Sequence, residues 1–156
     1  MNEGNEYDKA AVVTHLNKIL ETELAGVVRY THYSLMVFGY NRIPIVSWLR
    51  EQATESMAHA TQAGELITAL GEHPSLAIGA LLETHKHDIG DILREALENE
   101  RAGLQLYKDL LPLVEGKAIW LEEYARQMIY QEELHLTEVD KMLRKPGEVA
   151  SVAGRG

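Results

Sequence analysis

Tyr130-Gln131-Glu132-Glu133-Leu134-His135-Leu136 lies near the end of the chain. Residues three apart share one face of a helix, so Glu132 and His135 can close on one metal ion. Around them Leu121, Ala125, Met128, Glu132, His135, Val139 and Met142 recur at alternating steps of four and three. That spacing is the seam a packed helix buries, and its middle is polar. A buried carboxylate is costly unless it is paired or holds a cation. Taken alone, one such pair is more often a solvated Glu beside a satisfied core histidine. The rest of the chain shifts that balance.

A chain of 156 residues suits one domain, 1–156, with a real core. It has no Cys, which excludes disulfides, a thiol nucleophile and zinc-finger patterns and fits a reducing compartment. Met1 to Glu6 is polar and acidic, with no apolar signal core. No run of 18 apolar residues is present, so no membrane partner is expected and the reading is cytoplasmic. A net charge of −9 argues against nucleic acid as a partner. Few Pro and abundant Leu, Ala, Glu and Gln point to an all-α fold.

Periodicity and breakers predict four helices, over about 8–37, 44–70, 89–111 and 118–143. The first carries Leu16, Leu20, Glu23, Val27 and Tyr30 on its seam. The second carries Leu49, Gln52, Ser56, His59 and Ala63, starts near Pro44 and stops at Gly71. The third aligns Leu93, Ala96, Glu100, Gly103 and Tyr107, and Pro112, Gly116 and Lys117 predict the turn after it. Residues 71–87 read as a long crossover with some helix around Ala77–Thr84, and its His85 and His87 read as solvated. The tail, Glu148–Gly156, reads as frayed, with no clear fifth helix. The architecture expected is an antiparallel four-helix bundle with one long crossover between helices 2 and 3.

Each half of the chain offers one core Glu followed by a core His at nearly the same distance. Glu23 precedes His59 by 36 residues, and Glu100 precedes His135 by 35. In an antiparallel bundle Glu23, His59, Glu100, Glu132 and His135 fall at similar depth. Two divalent cations that share carboxylates, each with an imidazole, need about this donor set.

On these stretches the chain resembles the ferritin-like superfamily, and within it bacterioferritin. The resemblance runs over about residues 10–143. It rests on Glu23-Leu24-Ala25 with Tyr30, Met57-Ala58-His59-Ala60, Glu98-Asn99-Glu100, Glu132-Glu133-Leu134-His135, and the exit Gly71-Glu72-His73-Pro74-Ser75-Leu76. It implies a di-iron ferroxidase centre. Glu23 and Glu100 would be terminal or bridging carboxylates, His59 and His135 terminal imidazoles, Glu132 a bridge, and Tyr30 a neighbour of the irons or plain core packing. The family's second helix reads Glu-x-x-His, and Ser56 stands at that Glu position. Glu55 is adjacent but rotated by about 100°, so the resemblance puts Glu55 and Glu51 toward an inner cavity, holding iron in transit. Met57 matches the family's axial ligand to haem b, or else fills a helix–helix contact.

The resemblance therefore implies an iron storage and detoxification protein that oxidises Fe(II) with O2 or peroxide and stores ferric mineral in a homo-oligomeric shell. Without a fifth helix, 12 subunits are favoured over 24. The rival readings are a soluble di-iron or di-manganese peroxidase or catalase, and a shell subunit whose metal site is degenerate at Ser56.

Overall fold

A computed structural model of the chain describes residues 7–152. They form four helices, α1 (Lys9–Met36), α2 (Arg42–Ala69), α3 (Ile89–Val114) and α4 (Ile119–Leu143). Met1–Glu6 and Ala153–Gly156 lie outside the described residues, as do the readings made on them above. The helix limits follow from local chemistry. Asp8 and Asp88 cap α1 and α3 by accepting the Ala11 and Gly90 N–H at 3.1 Å. α2 ends where Gly71 takes a left-handed φ of +79°. Gly71 and Glu72 then donate back to Thr68 O and Ile67 O, closing the last turn.

Contacts between helices fix their directions. His59 on α2 meets Glu23 on α1, while Arg50 reaches Ser34. Tyr30, Tyr33 and Tyr107 pair with Glu100, Glu95 and Glu23, so α3 descends as α1 rises. The result is the all-α antiparallel bundle expected. Its apolar core comes in three clusters. One gathers Leu16, Ile19, Ile67, Leu110, Leu121 and Met128, the second Tyr30, Tyr33, Val37, Leu49 and Ile92, and a small third Leu93, Leu97 and Val139. On α1, α2 and α3 the polar seam residues fall between the first and second, and on α4 between the first and third.

Three expectations need correction. No helix forms over Ala77–Thr84. The crossover instead runs extended along α1. Ser75 N–H donates to Asn17 Oδ1, Gly79 N–H to Glu21 O, Arg29 to Ala80 O, and Glu83 meets His32. From Asn17 to His32 the helix rises roughly 22 Å. Eight residues span that length when extended at about 3.3 Å each, whereas as helix they would cover roughly 12 Å. Second, α3 continues through Pro112 to Val114. A proline there lacks its own N–H bond and crowds the carbonyl one turn back, but the fully buried Leu110 and Val114 hold the turn. Third, the tail is not frayed through Val152, because Ser151 Oγ and Val152 N–H both donate to Asp140. Among the described residues no fifth helix follows α4, as expected.

At Gly79 the crossover backbone lies directly against α1, its N–H donating to Glu21 O at 2.8 Å. A Cβ there would fall 3.2 Å from Glu21 O and 3.3 Å from Ala25 Cβ. Gly79→Val should therefore destabilise the fold by about 1–3 kcal/mol. It should also speed proteolysis within residues 73–87; an unchanged melting temperature and cleavage rate would contradict this account.

Candidate metal centre

α1 and α2 bring together Glu23 and His59, and α4 adds Glu132. His59 Nδ1 lies 3.6 Å from Glu23 Oε1 and 3.4 Å from Glu132 Oε1. One ligand atom from each of the three lies within 4.8 Å of the others. Glu132 shares a small cavity with Glu100 from α3, and Glu100 Oε1 is 3.8 Å from His135 Nε2. Glu132 thus stands between a Glu23–His59 half and a Glu100–His135 half. All five residues singled out in the sequence meet on one level.

Two tyrosines hold the outer carboxylates. Tyr30 Oη donates to Glu100 Oε1 at 2.6 Å, and Tyr107 Oη donates to Glu23 Oε1 at 2.9 Å. Each tyrosine lies seven residues beyond the Glu of its own helix and serves the Glu of the other. Antiparallel α1 and α3 produce that exchange. Sequence reasoning placed Tyr107 only on a seam; the shared Glu-to-Tyr spacing in both halves was the signal. It also missed Trp48, whose ring lies nearly parallel to His135 at 6.1 Å.

The halves differ at one position. Ser56 precedes His59 as Glu132 precedes His135, and Ser56 is buried against α1. A Cβ at Gly26 would approach its Oγ to 3.0 Å. Ser56, Gln52 and Glu55 line a cavity of about 10 Å3 with His59, Glu100, Glu132 and His135, room for a single water-sized sphere. Although α2 has no bulge, Glu55 Oε1 reaches within 3.8 Å of His59 Nε2. It stands at the mouth of this cavity and also borders an outer cleft with Glu51. Met57 faces away from the polar level, half exposed, in a groove with Leu20, Leu24, Gly64 and Pro74.

Burial and mutual proximity leave protons on this donor set. Burial and the Glu132 carboxylate push Glu100 up to about 8, so it keeps a proton at neutral pH. For His59, burial alone would favour the neutral ring, but Glu132 and Glu23 prevail and hold it up to about 10. Burial likewise raises Tyr30 and Tyr107, which stay phenols and donors. His135 Nε2 is buried without a hydrogen-bond partner. No Lys or Arg lines the cavity. Three carboxylates and two imidazoles, one with an orphaned ring nitrogen, fit divalent cations, which would take the place of these protons.

A family model described as the ferritin-like domain matches residues 13–147. The chain belongs to the ferritin-like domain family. Solved structures agree on the fold of this ferritin-like protein. A ferritin-like di-iron-carboxylate protein from Bacillus anthracis superposes with a TM-score of 0.82 at 21% identity, over 87% of this chain and 97% of that one. The bacterioferritin-related protein of Bacteroides fragilis, a dodecameric thioferritin, gives 0.78 at 21%, over 88% and 86%. Rhodobacter capsulatus bacterioferritin, described with a metal-free dinuclear site and haem iron, gives 0.78 at 23%, over 86% and 84%. No curated protein matches the chain in sequence. Among the described residues no helix is long and apolar enough to cross a membrane.

The raised Glu100 and His59 set a sign for pH dependence. Both bind their proton more tightly folded than unfolded, so their stabilisation is complete at low pH. For Glu100 it is lost between its ordinary value near 4.5 and about 8, and for His59 between 6.5 and about 10. The metal-free protein should therefore melt at progressively lower temperature as pH rises from 5 to 9. Glu100→Gln should flatten the part below pH 8, and equal slopes in the two proteins would refute the assignment.

Proposed function

We propose that this ferritin-like protein is an iron storage and detoxification ferroxidase of the cytoplasm, its bundle and tail forming one di-iron domain. The observation that carries the reading is the single level of Glu23, His59, Glu100, Glu132 and His135, with no Lys or Arg lining its cavity. Two Fe2+ enter as substrate. Each loses one electron, and the pair of electrons, with two protons from solvent, reduces one O2 to hydrogen peroxide or one hydrogen peroxide to two waters. Glu23 with His59 would hold one ion, Glu100 with His135 the other, and Glu132 both. Hard carboxylate oxygens favour the ferric product. Tyr30 and Tyr107 would orient Glu100 and Glu23, and Glu55 and Glu51 would pass iron between this level and the inner surface. Ser56 alone favours a second reading, a shell subunit whose centre oxidises slowly for lack of one carboxylate.

Aerobic Fe2+ addition tests both. Glu132→Ala and His135→Ala should each abolish tight binding of two Fe2+ with the helical circular dichroism retained; a parental oxidation rate in Glu132→Ala would overturn the ligand set. Ser56→Glu should raise the initial rate, and an unchanged one means Glu55 or water already serves that position. Growth of mineral to many irons per chain supports storage, whereas fast peroxide turnover without mineral supports a peroxidase or catalase.

A hollow shell of 12 subunits is favoured over 24. The dodecamer of the Bacteroides relative and, among the described residues, the lack of a helix after Leu143 support it. Exposed Phe38, Tyr40, Ile43 and Ile119 offer apolar contact surface. Light scattering should give about 210 kDa for 12 chains of 17.5 kDa, against about 420 kDa for 24. A stable monomer or dimer would sink the shell and storage together. Haem b would bind at Met57 between paired subunits, as its outward position and the haem of the Rhodobacter protein suggest. The Soret band of haem-reconstituted protein should then disappear in Met57→Leu.

A further inference from the structure

We propose that His32, Glu83 and His87 form a second metal site, which takes one borderline divalent cation of the Zn2+ class and clips the crossover to α1. The site lies outside the bundle core. His32 projects from α1, while Glu83 and His87 come from the end of the crossover. His32 Nε2 lies 2.7 Å from Glu83 Oε2, and His87 Nε2 lies 3.7 Å from Glu83 Oε1. One ligand atom from each falls within 4.8 Å of the other two. Both Nε2 atoms are shielded from solvent, and neither makes an aligned hydrogen bond. Two imidazole nitrogens converging on one carboxylate are what a cation organises.

The surroundings hold these groups in place. His85 N–H donates to Glu83 Oε1 at 2.6 Å and takes a φ of +57°, a conformation uncommon outside glycine. That turn carries the chain past Glu83 so that His87 returns to it. Thr84 Oγ1 donates to Glu95, and so does Tyr33 Oη at 2.9 Å, tying the loop to α1 and α3 behind the site. A ligand set with such fixed supports binds more tightly than the same residues on a free loop. Two His and one carboxylate leave a coordination position open toward an adjoining pocket of about 200 Å3, where water completes the shell. Imidazole donors select a borderline cation over Mg2+ or Ca2+.

Zn2+ titrated into the metal-free, full-length protein tests this. His32→Gln and His87→Gln should each lose one bound Zn2+ per chain, that class weakening by at least about tenfold. Glu132→Ala should keep that class while losing those in the bundle, so failure here is distinct from failure of the ferroxidase centre. Zn2+ should slow hydrogen exchange of residues 80–87 in the parent and not in the variants, and Fe2+ oxidation in His87→Gln should match the parent. Equal Zn2+ counts and equal exchange in the parent and both variants would overturn the proposal. Should one variant fail to fold, the other decides.

Discussion

Three carboxylates and two imidazoles meet at one depth of a four-helix bundle, and no Lys or Arg lines the cavity there. Each alone is a costly core defect; together they relieve one another by sharing protons. Glu100 keeps its proton beside Glu132, and His59 carries one between Glu132 and Glu23. Apolar clusters on each side confine the polar level. Helix register is therefore constrained. A slip of one residue in α1, α3 or α4 would carry a carboxylate into an apolar cluster or out to solvent.

The centre has an internal near-symmetry that explains its wiring. α1–α2 and α3–α4 are two antiparallel pairs, each contributing a Glu, a His and a Tyr at matching places. The tyrosines cross between pairs, so each pair holds the other's carboxylate in position. Ser56 breaks the match with Glu132, and Gly26 faces it across the helix contact. The donor set is consequently uneven, richer on the α3–α4 side, with Glu55 approaching His59 from the open edge.

The crossover does more than return the chain to the start of α3. It lies extended along α1, anchored at Asn17, Glu21, Arg29 and His32 in turn. Its length matches the helix it follows, which leaves no slack for a helical turn. Its last residues, with Glu95, join α1 to α3 beside the second apolar cluster.

The four helices and the five donors were legible in the sequence because each obeys a local rule. Seams repeat at three and four, caps and breakers are single residues, and the Glu-to-His distance recurs in both halves. The resemblance to bacterioferritin rested on the same residues. Other features were decided only by packing. Whether 77–84 is helix depends on the length of α1 beside it, and whether Pro112 ends α3 depends on burial of Val114. Tyr107 became a partner of Glu23 only through the antiparallel meeting of α1 and α3. His87 read as a solvated loop residue because His32, which converges with it on Glu83, lies on α1, far away in sequence. Contacts between residues far apart in sequence have no periodicity to announce them, so the tertiary fold alone assembles them.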